Sequence, residues 1–400
     1  WKGTFCALDH PTLGRVGPVP FRRPGGHTGP FGMAYISNVD LQAGDKGVLI
    51  LSVGLFVLAG LSFLLVIGNL HPFMELDGYA SLDAGFAKAP DDLVQLVKDS
   101  GLRGRGGAGF PTGMKWGFLA KGTGKPTYLV VNADESEPGT FKDMELLERD
   151  PHALVEGVIV SSYAIGCRNA FIYLRGECGW PGRRLQAALD AAYDKGLLGR
   201  DIKGSGFDLD VVLHRGAGAY ICGEETALLS SLEGQRGQPK LRPPFPAVEG
   251  LYRAPTTVNN VETIATVPWI IRKGVDWFRS MGSEKSPGPK LFSVSGDVVN
   301  PGNFEFPLGV PAREVIMGAA GGLRDGRSLK AWTPGGSSTP MLTADHLDTP
   351  MDFEGISGAG SLLGTAAVMV FSEDVCIVRA CLNFTEFYAH ESCGKCTPCR

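Results

Sequence analysis

Leu209-Asp210-Val211-Val212-Leu213 and, just beyond it, Gly216-Ala217-Gly218-Ala219-Tyr220-Ile221-Cys222-Gly223-Glu224-Glu225-Thr226 read as an apolar strand, a glycine-rich loop and the start of a helix. Gly216 and Gly218 let backbone approach a ligand closely. The helix beginning near Glu224 aims its N-terminal amides and the positive end of its dipole at that loop. Carboxylates at a helix start also stabilise the helix itself, so capping stands beside ligand binding as a role for Glu224 and Glu225.

Upstream, Tyr128-Leu129-Val130-Val131 is a β-branched run that reads as a buried strand, and Ala170-Phe171-Ile172-Tyr173-Leu174 as another. Helical spacing over Pro151 to Ile165 and Pro181 to Tyr193 separates these strands, and such alternation predicts an α/β sheet. The first strand runs into Asn132-Ala133-Asp134-Glu135-Ser136-Glu137-Pro138-Gly139. Ligands of open α/β sheets sit at the carboxyl ends of strands, so this loop is placed to accept hydrogen bonds from ribose hydroxyls or an amide. Its acidity repels a ribose phosphate and favours NADH over NADPH; an acidic solvated turn is the plainer alternative.

Gly104-Arg105-Gly106-Gly107-Ala108-Gly109 fits G-x-G-x-x-G, but an amphipathic helix over Asp91 to Lys98, stopped by Gly101, precedes it where a dinucleotide fingerprint needs a strand. What remains is bare backbone with Arg103, Arg105 and Lys115 nearby, suited to a phosphate or a flat ring, or to a flexible basic surface loop. Pro243-Pro244-Phe245-Pro246 is rigid, with Phe245 either stacking on a ring or filling core. Lys290 to Val298 and Gly302 to Pro307 alternate like a hairpin, with a helix over Pro311 to Ala319 laid across it, and Glu373 to Phe387 is helical in period.

That last helix leads to Cys393-Gly394-Lys395-Cys396-Thr397-Pro398-Cys399, a Cys-x-x-Cys-x-x-Cys run that gathers three thiolates at one inorganic centre. The spacing matches the first three cysteines of the bacterial ferredoxin pattern and favours a 4Fe-4S cluster over zinc, which usually takes two separated Cys-x-x-Cys pairs. Cys6, Cys167, Cys178, Cys222, Cys376 and Cys381 read as buried small apolar residues. A net charge of -4 over 400 residues, with no basic run, argues against nucleic acid as a partner. Gly47 to Leu70 is uncharged and long enough to span a bilayer, and stands either as a membrane anchor or as a segment foreign to the catalytic unit. The stretch from Pro18 to Phe31 reads as a linker.

Five stretches, Gly101 to Trp116, Asn132 to Gly139, Gly216 to Thr226, Val258-Asn259-Asn260-Val261-Glu262-Thr263 and Glu391 to Arg400, occur in the order that resembles the flavin-bearing, NADH-oxidising subunit of respiratory complex I. The resemblance covers roughly Glu75 to Arg400 and leaves residues 1–74 without a counterpart. It implies a Rossmann-like FMN domain over 75–255, a β-grasp (ubiquitin-like) domain over 256–345 and a helical bundle carrying a 4Fe-4S cluster from 346 to 400. Carried over by motif, Gly104, Arg105, Gly106, Lys115, Asn132, Asp134, Glu135, Tyr220, Gly223, Glu224, Glu225, Asn259, Asn260 and Thr263 would line FMN. Phe110, Phe118, Glu137, Glu225, Arg242 and Phe245 would hold NADH, with Glu135 and Glu225 as the catalytic carboxylates and Cys393, Cys396 and Cys399 as cluster ligands. The family's fourth cysteine lies beyond Arg400, and Met144 stands where relatives often carry a basic residue.

The resemblance further implies a 2Fe-2S thioredoxin-like subunit and a large iron–sulfur subunit as partners. It implies a place in the peripheral arm, on the cytoplasmic face of a bacterial inner membrane or the matrix side in a mitochondrion. Hydride transfer between nicotinamide and flavin needs alignment and exclusion of water, with no general base. The expected activity is therefore a two-electron to one-electron conversion. A diaphorase subunit of an NAD-linked hydrogenase or formate dehydrogenase, and a structural subunit with an incomplete cluster, are the alternatives.

Overall fold

The computed structural model describes residues 78–396, all within the compact unit Asp77–Arg400. The apolar stretch 47–70 and Cys399 lie outside the described residues. Among the described residues no helix is long and apolar enough to cross a membrane.

The chain opens with helices α1 (Ala80–Phe86), α2 (Pro90–Ser100) and α3 (Thr112–Gly117). In α2, Pro90 at the first turn, acidic Asp91 and Asp92 beside it, and buried Leu93 and Val97 on one face supply both the start signal and the packing face. Then come β1 (Tyr128–Ala133), α4 (Lys142–Arg149), α5 (Pro151–Ile165), β2 (Asn169–Leu174), α6 (Gly179–Asp194) and β3 (Asp210–Arg215). After β3 follow α7 (Glu225–Leu232), α8 (Pro246–Glu249), β4 (Thr256–Asn260), α9 (Val261–Lys273) and α10 (Val275–Arg279). The four strands form a parallel sheet in the order β3-β2-β1-β4. Leu129, Val130 and Val131 of β1 are wholly buried, as a parallel strand covered on both faces requires.

The strand order reverses at β1, which has β2 on one side and β4 on the other. That makes the carboxyl ends of β1 and β4, where Asn132 pairs in register with Asn260, the crevice at which this architecture places ligands.

A second sheet is built from β5 (Pro289–Gly296), β6 (Gly302–Pro307), β7 (Leu329–Thr333) and, after helix α11 (Phe353–Gly358), β8 (Ala367–Ser372). Its order is β6-β5-β8-β7, with β5 and β8 parallel and the outer pairs antiparallel. Phe292, Val294, Trp332, Val368 and Val370 pack its core, and the Trp332 ring nitrogen donates to the Thr343 carbonyl at 3.1 Å. Helix α12 (Ile377–Glu391) ends the described fold and carries the first two cysteines of the triplet beyond its C-terminus.

Several expectations are corrected. The boundary at 255/256 does not hold, because β4 pairs with β1 and extends the first sheet; nor does 345/346, because β8 is a central strand of the second. Both errors are of one kind: local pattern identifies a strand without naming its partner. The stretch from Pro311 to Ala319 contains a π-helical turn, Glu314–Ala319, in place of a regular helix. Cys376 and Cys381 are exposed, whereas Cys167, Cys178 and Cys222 are buried. Of the expected C-terminal bundle, the described residues contain α12.

Candidate active site

A cavity of about 710 Å³ opens at the carboxyl edge of the first sheet, within the size range of pockets that take cofactors. Of the residues expected to bind ligand, Gly106, Asn132, Asp134, Glu135, Glu137, Tyr220, Gly223, Glu224 and Asn260 line it. Its far wall comes from the second sheet's module through Gly335, Ser338, Thr339, Leu363 and Thr365, which sequence reasoning missed because these positions are distant in the chain and carry no charge pattern.

The β1 loop and the 3-10 turn Tyr220–Gly223 are tied together across the opening, since Asn132 Nδ2 donates to the Gly223 carbonyl at 2.8 Å. Asn132 Oδ1 in turn accepts from the Asp134 amide at 3.0 Å, which turns Asp134 inward. Asp134 Oδ1 accepts from the Ser136 hydroxyl at 3.3 Å, while the buried Oδ2 has no partner. Burial pushes this carboxyl up to about 7 against the pull of Arg175.

Glu135, expected to be catalytic, is held differently. Its two carboxylate oxygens accept from the Asp143 and Met144 amides at 2.8 and 2.9 Å, which makes it an anchor for the N-terminus of α4. Position 144 serves this contact through its backbone, whatever its side chain. Burial, with Asp143 adding to it, pushes Glu135 up to about 7.

Beneath the cavity lies a charge cluster that the sequence left unread. Lys142 Nζ meets Asp143 Oδ1 at 2.7 Å and Glu262 Oε2 at 2.8 Å, and Asn260 Nδ2 donates to Asp143 Oδ2 at 2.6 Å. Lys290, reaching over from β5, binds the same Glu262 oxygen at 2.6 Å. Burial opposes ionisation of Glu262, but Lys142, Lys290 and Arg105 outweigh it and hold the carboxyl down at about 2. Burial pulls the Lys290 ammonium down to about 7 in spite of Glu262. A lysine after an acidic loop reads as solvated; only its wholly buried position shows otherwise.

Other expected residues lie off the cavity wall. Arg105 is wholly buried and its guanidinium bonds the Pro287 carbonyl at 3.1 Å, so its side chain is closed to a ligand. Thr263 accepts from the Arg105 amide at 2.8 Å, Asn259 accepts from the Trp116 ring nitrogen at 3.0 Å, and the Gly104 amide closes its loop on the Phe110 carbonyl at 2.9 Å. These residues shape the glycine loop from behind. Lys115 binds Glu225 at 2.7 Å, and Arg242 bridges Glu224 and Glu225 at 2.5 and 3.0 Å. Phe110 and Phe118 pair with ring centroids 6.3 Å apart, and both, like Phe245, keep about half their surface exposed, as a platform for a planar ring requires. Phe245 therefore does not fill core.

At the C-terminus, Cys393 is partly buried and Cys396 exposed, and Gln238 Nε2 reaches the Cys393 carbonyl at 3.3 Å. Among the described residues no group of three His, Cys, Asp or Glu could hold a metal ion; Cys399 lies outside them.

Residues 97–269 match the family described as the Nuo51 FMN-binding domain, 290–370 the SLBB domain, and 379–400 the NADH-ubiquinone oxidoreductase-F iron–sulfur binding region. The F subunit of NADH-quinone oxidoreductase in Streptomyces coelicolor is 64% identical over 332 residues, covering 83% of this chain and 74% of that protein. The chain belongs to the F-subunit family of NADH-quinone oxidoreductase. The protein of the same name in Mycobacterium tuberculosis is 63% identical over 81% of this chain and 73% of its own length. Among solved structures, an NAD+-reducing [NiFe]-hydrogenase in the H2-reduced state superposes with a TM-score of 0.73 at 42% identity, covering 81% of this chain. This chain spans about half, 54%, of that hydrogenase chain.

As a member of this family, the chain is the NADH-oxidising electron input of complex I, an FMN- and 4Fe-4S-dependent oxidoreductase that works among partner subunits as a peripheral part of a respiratory complex. The residues present fit both groups. Asp134, which has one buried carboxylate oxygen without a partner, lines a cavity that has room for a mononucleotide. A Cβ at Gly106 would fall 3.0 Å from the Asn260 Cβ, so the loop backbone lies tightly against Asn260. Cysteines separated by two residues at Cys393 and Cys396 are the donor type that iron–sulfur clusters use.

Proposed function

We propose that the cavity between the β1 and β4 ends holds FMN and that NADH approaches it from the exposed aromatic side. The observation that carries this reading is the buried Asp134 oxygen without a partner, an acceptor waiting for a ligand hydroxyl. Bound FMN supplies a two-electron acceptor that can release its electrons singly. Asp134 accepts from the ligand, Asn132 and Asn260 flank it, and the amides of the glycine loop and of Gly223 approach it from opposite sides. Lys142, its charge answered by Asp143 and Glu262, braces the floor of the site, and Lys115 is held by Glu225.

Glu225 and Arg242 orient the nicotinamide nucleotide, and Phe110, Phe118 and Phe245 cover its ring and exclude water. Glu135 holds the helix that carries Lys142 and performs no proton transfer. Cys393, Cys396 and Cys399, with a fourth cysteine supplied elsewhere, take the 4Fe-4S cluster. The specific neighbours we infer are a 2Fe-2S thioredoxin-like subunit and a large iron–sulfur subunit, and the compartment is the cytoplasmic face of a bacterial inner membrane. A role as diaphorase of a hydrogenase draws support from the shared fold, but identity is higher to the quinone-linked relatives, at 64% against 42%.

The test is an anaerobic titration of the FMN-loaded protein, with NADH and NADPH added separately while flavin absorbance is followed. Stoichiometric bleaching by NADH alone is expected. If FMN fails to bind, or if bound flavin stays oxidised with both nucleotides, the proposed site is wrong.

A further inference from the structure

Glu137 sits where three parts of the molecule meet. Its Oε2 accepts from the Tyr220 hydroxyl at 2.7 Å, and its Oε1 accepts from the Ser338 amide at 2.8 Å and the Ser337 hydroxyl at 3.2 Å. Tyr388 of α12 reaches the same oxygen at 3.4 Å and the Ser337 hydroxyl at 2.5 Å. Gly336, at φ 104°, lets its loop close on this carboxylate: a Cβ there would fall 2.6 Å from Glu137 Cγ. One turn further along α12, Glu391 accepts from the Tyr220 amide at 3.1 Å. Tyr220, Phe387 and Tyr388 pack edge to face, with centroids 5.2 to 5.8 Å apart. Glu137 and Tyr220 line the cavity, whereas Glu391 stands two residues before Cys393.

We propose that Tyr388 and Glu391 are positioning residues that fasten the cysteine-bearing end of α12 to the cavity wall, fixing the path from the flavin site to the cluster. The proposal rests on the function given above. Apart from these polar ties and its ring contacts, α12 is weakly held: Ala380 is the buried residue among its fifteen. A helix so lightly packed takes its register from its polar contacts, and the two in its last turn, from Tyr388 and Glu391, run to Glu137 and Tyr220 of the cavity wall. Burial, reinforced by Glu137, pushes the Tyr220 hydroxyl up, so it stays a donor across the working range.

The variants are Tyr388→Phe, Glu391→Ala and the conservative Glu391→Gln, in the assembled holo complex. NADH should bleach the flavin at the wild-type rate in each. Reduction of the cluster, followed by electron paramagnetic resonance, should slow about tenfold in Tyr388→Phe and Glu391→Ala, and recover in Glu391→Gln. Independently of any cofactor, amide hydrogen exchange over residues 388–396 should speed up about tenfold in the first two variants, the equivalent of one lost hydrogen bond. Wild-type cluster reduction together with a lowered melting temperature would make these residues merely structural and overturn the proposal, as would unchanged exchange. Should Tyr388→Phe fail to fold, Ser337→Ala removes the same tie from the other side and is read in the same way. A wild-type complex whose flavin NADH does not bleach refutes the functional reading instead.

Discussion

Two sets of carboxylates, far apart in the chain, lie in neighbouring layers and are buried alike, yet end in opposite states. Asp134 and Glu135, on the cavity wall, are pushed up to about 7, whereas Glu262, in the layer beneath, is held at about 2. The difference is the number of cations within reach. Glu262 has Lys142 and Lys290 directly upon it and Arg105 close by, enough to offset desolvation; Asp134 has Arg175 as its opposing cation. Desolvation is thus answered by the protein's own charges in the layer that joins the two sheets, and left unanswered where a ligand is to come. Asp134, with one oxygen left unpartnered, marks function, whereas Glu135, held by two amides of α4, and Glu262, held by lysines, mark architecture.

The sharpest way to break this contrast is Glu262→Gln, which takes the carboxylate from buried Lys290 and leaves buried Lys142 with Asp143 as its remaining ion pair. It should cost about 3–5 kcal/mol of stability by chemical denaturation at neutral pH. A loss below about 1 kcal/mol would mean that the cluster does not join the two sheets. Asp134→Asn should do the reverse at the cavity: flavin affinity falls about tenfold, measured by fluorescence titration, while the FMN-free fold is no less stable at pH 8. Unchanged affinity would remove Asp134 from the binding set.

The same pair predicts opposite pH dependences. Asp134 and Glu135 keep their protons to higher pH in the folded state than in the unfolded chain. Their stabilisation is complete below the unfolded carboxylate range and is lost as pH rises toward about 7. Glu262 contributes above the unfolded range, and its contribution is lost as pH falls toward about 2. Denaturation midpoints of the FMN-free protein between pH 4 and 7 should therefore fall less steeply in Asp134→Asn than in wild type. The smallest effect belongs to Glu224, which lines the cavity but also accepts from the Thr226 and Ala227 amides at 2.9 Å as the cap of α7. Glu224→Ala should cost about 1 kcal/mol of stability, and a variant as stable as wild type would show that the cap is idle.

Much of the fold was legible. The strands around Val130, Ile172 and Val211 announce themselves by apolar runs bounded by turn residues, and the glycine passage at 216–223 by its place between strand and helix. Half-legible were the acidic residues after β1: their loop was located, but Glu135 was expected to be catalytic, and a one-dimensional pattern cannot tell which carboxylate folds back on the amides of α4. Arg105 looked like a phosphate ligand because arginine in a glycine loop usually faces solvent; here the side chain turns into the protein and bonds a carbonyl from residue 287.

By itself the sequence determined most element types, the α/β class, the cysteine triplet and the family, because each depends on residues close together in the chain or on motifs quoted whole. The tertiary structure alone decided that β4 belongs with β1, that β8 completes the second sheet, that Lys142 lies beneath the cavity, and that Tyr388 meets Glu137. Each of these joins residues far apart in the chain through buried charge or hydrogen bonding. The strength of such contacts depends on desolvation, which no residue carries in its own identity.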